Sequence, residues 1–107
     1  MDRFIRVADR LTFSPEKMKK AALVDTPSLF CDAYCFEPGQ EQVGHRHAVG
    51  DKLYYVVSGA GRIRVGSEER DVGSGDLVCA PAGEEHGVHN PGPGRLVLLV
   101  MMAPKPA

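Results

Sequence analysis

Residues 53–72 read LYYVVSGAGRIRVGSEERDV, and this stretch decides the fold class. Leu53 to Ser58, Gly61 to Val65 and Glu68 to Val72 are short runs carrying β-branched and aromatic residues. They are too brief for helices and are bounded by residues that reverse a chain. Ser58-Gly59-Ala60-Gly61 supplies one permissive tight turn and Val65-Gly66-Ser67 a second, so the middle of the chain predicts consecutive antiparallel hairpins.

Working outward, the same punctuation predicts further strands at Arg3 to Val7, Lys20 to Val24, Leu29 to Phe36, Val43 to Val49, Leu77 to Ala80, His86 to His89 and Leu96 to Met102. A proline after a capping serine, Ser14-Pro15-Glu16, predicts a single helical turn at most. Two facing sheets, or one sheet rolled closed, would bury Leu53, Val56, Ile63, Val72, Val78, Leu96, Leu98 and Val100. Closure would also hide the edges of such short strands. The expected organisation is one domain over 1–107, with N-terminal strands and a turn over 1–28 and a flexible tail over 103–107, where two prolines stand outside any apolar periodicity.

Composition narrows the function classes. The chain has 107 residues, 43% hydrophobic and 25% charged, with a formal net charge of −1. That is ordinary globular composition without the basic footprint of a nucleic-acid binder. The longest apolar stretch, Leu96 to Ala103, falls far below a membrane span. Charges interrupt MDRFIRVADR where a secretory signal needs an apolar run, so a cytoplasmic location is expected. Cys31, Cys35 and Cys79 fit neither a disulfide framework nor a zinc knuckle. Cys31 and Cys35 read as small hydrophobes in a strand, and Cys79 as core or pocket lining.

All four histidines fall in two places, His45 and His47 in VGHRHAVGD and His86 and His89 in GEEHGVHN. Residues two apart on a strand share a side, so His45 and His47 can present two imidazoles to one interior while Arg46 faces the other way. His86, from a distant strand, can supply a third nitrogen, and His89 is out of phase with it. Imidazole is the commonest ligand of iron, nickel and zinc. The plain alternative is a chance repeat serving as polar lining.

The spacings resemble those of the cupin superfamily. In GQEQVGHRHAVGDKLYYVVSG, residues 39–59, Gly39, His45, His47 and Gly59 stand at the positions of its first motif. In GDLVCAPAGEEHGVHN, residues 75–90, Gly75, Pro81, Gly83, His86 and Asn90 match the second. The resemblance implies a double-stranded β-helix, or jelly-roll, barrel of short antiparallel strands. It implies a divalent metal, whether iron, nickel, zinc or manganese, held by His45, His47 and His86. Homodimerisation through an N-terminal strand, here Phe4 to Val7, is also implied.

Where the family places a glutamate as fourth ligand, this chain has Lys52, with Asp51 one residue earlier. A protonated lysine cannot coordinate. Three arrangements follow: a three-histidine site with open positions, a site that Asp51 enters through a register shift, and an empty pocket with ligand-like histidines. Tyr54, in phase with Lys52, is expected to line the pocket or the core. The expected function is a metal-binding small cupin with a small-molecule pocket, acting as a metal-dependent dioxygenase or isomerase. A non-catalytic binding or sensing domain is the alternative, because this scaffold hosts many chemistries.

Overall fold

The computed structural model describes residues 1–106. Its strands are β1 (Lys19–Asp25), β2 (Phe30–Phe36), β3 (Glu41–His45), β4 (Asp51–Ser58), β5 (Ala60–Val65), β6 (Glu68–Gly73), β7 (Leu77–Ala80), β8 (His86–His89) and β9 (Leu96–Ala103). They form a five-stranded sheet in the order β1-β2-β9-β4-β7 and a four-stranded sheet in the order β3-β8-β5-β6. Every pairing is antiparallel. Of the two expected hairpins, β5 and β6 form one across Gly66, whereas β4 and β5, joined at Gly59, lie in different sheets, so that turn carries the chain from one sheet to the other and is not a hairpin.

The expected closed barrel is corrected by this topology. Neither sheet closes on itself, and the two meet face to face through side chains. The reason lies partly in β3, which ends at His45 where the sequence predicts a strand through Val49. Residues 46–50 form a loop, with Gly50 at φ +98°, and so cannot carry a ladder from one sheet to the other. Gly59 is required at its turn: its φ is +87°, and a Cβ there would lie 2.1 Å from the Arg95 carbonyl oxygen.

The strand expected at Arg3 to Val7 is likewise absent, and a 3₁₀ turn occupies Val7–Arg10. Ile5, Val7, Leu11 and Phe13 pack on Leu23, Ala33 and Cys35. The outward face of β2 is apolar, and the N-terminal segment covers it with side chains instead of pairing as a strand. The expected route to a dimer through a free N-terminal strand therefore loses its strand. At the other end Ala103 closes β9, and Lys105 is tied by its N–H to Ser28 O at 2.9 Å and by Nζ to Asp25 at 2.5 Å. Of the 103–107 tail, Ala107 lies outside the described residues.

Between the sheets, Val56, Ile63, Leu96, Leu98 and Val100 are buried as expected, with Val72 and Val78 packed against them. Leu53 is not part of that cluster. It alternates with buried Lys52 and Tyr54 and therefore takes the outer face. The inward positions grade along the strands. On β2 they read Asp32, Tyr34, Phe36, and on β4 Lys52, Tyr54, Val56. The register places Tyr34 beside Leu98 and Leu98 beside Val56, so both strands turn from polar to apolar in the same direction.

Candidate metal centre

His45 is the last residue of β3, His47 sits in the following loop, and His86 opens β8. Pairing of β3 with β8 puts His45 opposite His86. One ligand nitrogen from each of the three lies within 4.8 Å of the others, a group able to hold a metal ion. Ring centroids are 4.5 Å apart for His45 and His86, 4.9 Å for His45 and His47 and 5.6 Å for His47 and His86. His47 joins through the loop and not, as the sequence reading had it, through strand alternation.

The hydrogen bonds assign the ring nitrogens. His86 Nδ1 stands 3.0 Å from Glu84 O and His45 Nδ1 3.1 Å from Val43 O. A carbonyl oxygen only accepts, so each Nδ1 carries the proton and each Nε2 keeps its lone pair. His86 is 2% exposed, and its Nε2 is buried without a hydrogen-bond partner. Such an orphan costs stability unless something binds it. An imidazole whose other nitrogen donates to a backbone carbonyl is the usual form of a metal ligand. The donor set thus fits a divalent ion that accepts nitrogen ligands.

Burial pulls the His86 imidazole down to about 4, aided by Lys52, His45 and His47 and opposed by the bond to Glu84. His47 is lowered by burial, then by His45, Lys52 and Lys20. Low basicity keeps lone pairs available at neutral pH, and little proton release then accompanies metal binding.

Asp51 stands outside this group. Its side chain is exposed, and its Oδ1 accepts the Ala82 N–H at 3.0 Å. Next to it, Gly83 N–H donates to His47 O at 2.7 Å. The Pro81-Ala82-Gly83 corner, with Gly83 at φ +85°, therefore clamps the loop that carries His47. Of the three arrangements that the sequence leaves open, the one with Asp51 turned inward is not the one seen here, where its carboxylate is exposed and bonded to Ala82.

Lys52 does turn inward. It is 2% exposed, with Nζ 5.3 Å from the ring centroids of both Tyr34 and Tyr54. Burial lowers it to about 8, with Lys20 adding to the shift and Asp32 opposing it. Tyr54 takes its expected inward place, 6.1 Å from the His86 ring. Its hydroxyl donates to Gln42 Oε1 at 3.1 Å, and Gln42 Nε2 donates to Tyr34 OH at 3.3 Å. Burial pushes Tyr34 up to about 12, while Tyr54 is raised by burial and then by Tyr34.

Gln42, Tyr34, Asp32 and Lys20 escaped the sequence reading. A signal for Asp32 was present, because it sits in phase with Tyr34 and Phe36 inside an otherwise apolar strand. Asn90, fully buried, bonds Phe36 O, Gly94 O and the Gly92 N–H, and so fixes the end of β8 without touching the histidines. A groove of about 500 Å³ shares Lys20 and Gln42 with this polar interior. Another, of about 550 Å³, lies beside β5, β6 and β7, includes exposed Cys79 and contains none of the three histidines.

Two facing antiparallel sheets with imidazoles converging from both motifs define a cupin. The Cupin domain family matches residues 33–102, and the chain belongs to it. Its fold is similar to the crystal structure of TT1209 from Thermus thermophilus, with a TM-score of 0.95, 36% identity and coverage of 98% of this chain and 100% of that one. A conserved protein with a double-stranded β-helix domain from Klebsiella pneumoniae gives a TM-score of 0.90 at 25% identity, covering 97% of this chain and 91% of that one. A curated relative, 5-nitrosalicylic acid 1,2-dioxygenase from a Bradyrhizobium species, is 36% identical over 61 residues, 57% of this chain. The chain spans 29% of that relative's length.

Proposed function

We propose that this chain is a metal-binding cupin in which His45, His47 and His86 hold a divalent ion beside a pocket for a small molecule. The buried, unpartnered Nε2 of His86, gathered with the other two imidazoles, carries the reading. A three-histidine set leaves positions open, and the bound ion would supply Lewis acidity or a meeting place for dioxygen and substrate. The test is elemental analysis of protein purified without added metal, followed by titration with Fe(II), Ni(II), Zn(II) and Mn(II). About one equivalent is expected in the parent and none in His86→Ala. Equal uptake by both would remove the histidines from the site.

The finer reading is a metal-dependent dioxygenase, supported by the similarity to the Bradyrhizobium enzyme. Oxygen uptake by Fe(II)-loaded protein, measured with a panel of hydroxylated aromatics that begins with that relative's named substrate, tests it. Metal binding without oxygen uptake across the panel would favour a binding or sensing role.

A further inference from the structure

The charges facing the histidine end of the sandwich do not balance. The group that gathers a metal ion is three histidines and no carboxylate. Where the motif spacing implies a glutamate, Lys52 points inward between the Tyr34 and Tyr54 rings. Lys20 Nζ lies 5.2 Å from the centroid of the same Tyr34 ring. Among the described residues no carboxylate reaches ion-pair distance of either ammonium. Asp32, half-buried on β2, is the acidic group that acts on Lys52. Tyr34, Tyr54 and Gln42 are neutral and occupied with one another. Buried Lys52, with exposed Lys20 beside the same ring, faces one half-buried aspartate, and a divalent cation at the histidines would add two charges that no carboxylate of the group offsets. Buried like charges repel strongly unless an anion enters.

We propose that this end of the sandwich recognises a small organic carboxylate, whose anionic group is received by Lys52 beside the three histidines, with Lys20 on the approach. Lys52 is a positioning and selectivity residue under this proposal. A flexible ammonium donates to a carboxylate as a point charge, and the flanking tyrosine rings keep it extended towards the interior. The proposal deepens the metal-binding reading and rests on it for where the ligand lies, so its experiment separates the two.

Acetate, oxalate and benzoate are compared by calorimetry with acetamide, oxamide and benzamide, using both metal-free and Ni(II)-loaded protein. A metal ion alone prefers carboxylates to amides, so the metal-free comparison and the lysine variants are what isolate Lys52. We expect at least one carboxylate to bind metal-free parent at least tenfold more tightly than its amide. Lys52→Met and Lys52→Gln should each lose that preference while keeping their Ni(II) affinity within a few-fold. Lys20→Met, on the exposed β1, should weaken carboxylate binding less. The proposal is overturned if acid and amide bind metal-free parent alike, if no carboxylate binds at millimolar concentration, or if the preference persists in both Lys52 variants. Failure of Ni(II) to bind, with the carboxylate preference intact, would sink the metal reading alone.

Discussion

The two ends of the space between the sheets are built by the same strands and do opposite work. At one end Phe36, Val56, Leu96 and Leu98 are fully buried in the apolar cluster between the sheets. At the other, the same β2 and β4 carry Asp32, Tyr34, Lys52 and Tyr54 in their inward phase, with the Tyr54 ring 6.1 Å from that of His86. Apolar burial stabilises in proportion to area, at roughly 25 cal/mol per Å². Buried ammonium and an orphaned imidazole cost stability. Stability is therefore concentrated in one half of the core, and the other half is free to be chemically demanding. Natural domains tolerate such local penalties where function requires them.

The largest expected effect breaks the apolar end. Leu98→Ala should cost about 2–5 kcal/mol by denaturant titration, because a fully buried side chain leaves a cavity between the sheets. Metal affinity, measured where the variant is folded, should change by less than threefold. A large loss of metal affinity would mean that the two ends are coupled.

At the polar end, His86→Ala should lower metal affinity by about a hundredfold or more, since loss of an outer-shell partner alone costs 10–100-fold. Its stability without metal should fall by less than that of Leu98→Ala, because the deleted ring gives up its bond to Glu84 O and some packing but also removes a buried, unpartnered nitrogen. A drop in stability as large as that of Leu98→Ala would erase the distinction between the ends.

Lys52→Met sharpens it. The folded site holds the Lys52 proton only to about 8, against 10.5 for an ordinary lysine. Protonation therefore favours the unfolded chain: the penalty is full below about pH 8, shrinks as pH rises from there, and is gone above about 10.5. The variant should be more stable than the parent by on the order of 1–3 kcal/mol at pH 7. Its advantage should vanish near pH 11, as pH-dependent denaturation curves would reveal; a constant difference across that window would place the ammonium in water.

The smallest effect expected is a gain. Lys52→Glu should raise Zn(II) or Ni(II) affinity by about tenfold by returning a carboxylate to the inward position of β4. An unchanged titration would mean that residue 52 does not reach the histidines.

Much of this architecture was legible in the chain itself. The Gly-bounded runs from Leu53 to Val72 marked three strands and the β5–β6 hairpin, though not that the turn at Gly59 crosses between sheets, and the two spaced motifs placed His45, His47 and His86 together. Their legibility has a physical cause, because turns and ladder positions depend on local residue types. Sheet closure was not legible, since it depends on whether residues 46–50 stay extended, and a histidine-containing run reads as strand or loop alike. The N-terminal segment misled for a related reason. Ile5, Val7, Leu11 and Phe13 must be buried somewhere, and apolar content alone does not say whether by pairing or by covering a face. Asp51 and Lys52 posed a choice between adjacent residues, which a strand resolves by pointing them to opposite sides. Which side is inside was settled by Ala82, whose N–H takes the aspartate.

The covering segment gives the molecule a built-in clock. Cys35 is wholly buried beneath it and Cys31 half-buried, both thiols pushed up by burial, while Cys79 is exposed on β7. An alkylating reagent should consume exposed Cys79 first and reach Cys35 only when residues 5–13 lift away. The ratio of the two rates, followed by mass spectrometry, measures how often the N-terminal cover opens while the rest of the sandwich stays folded.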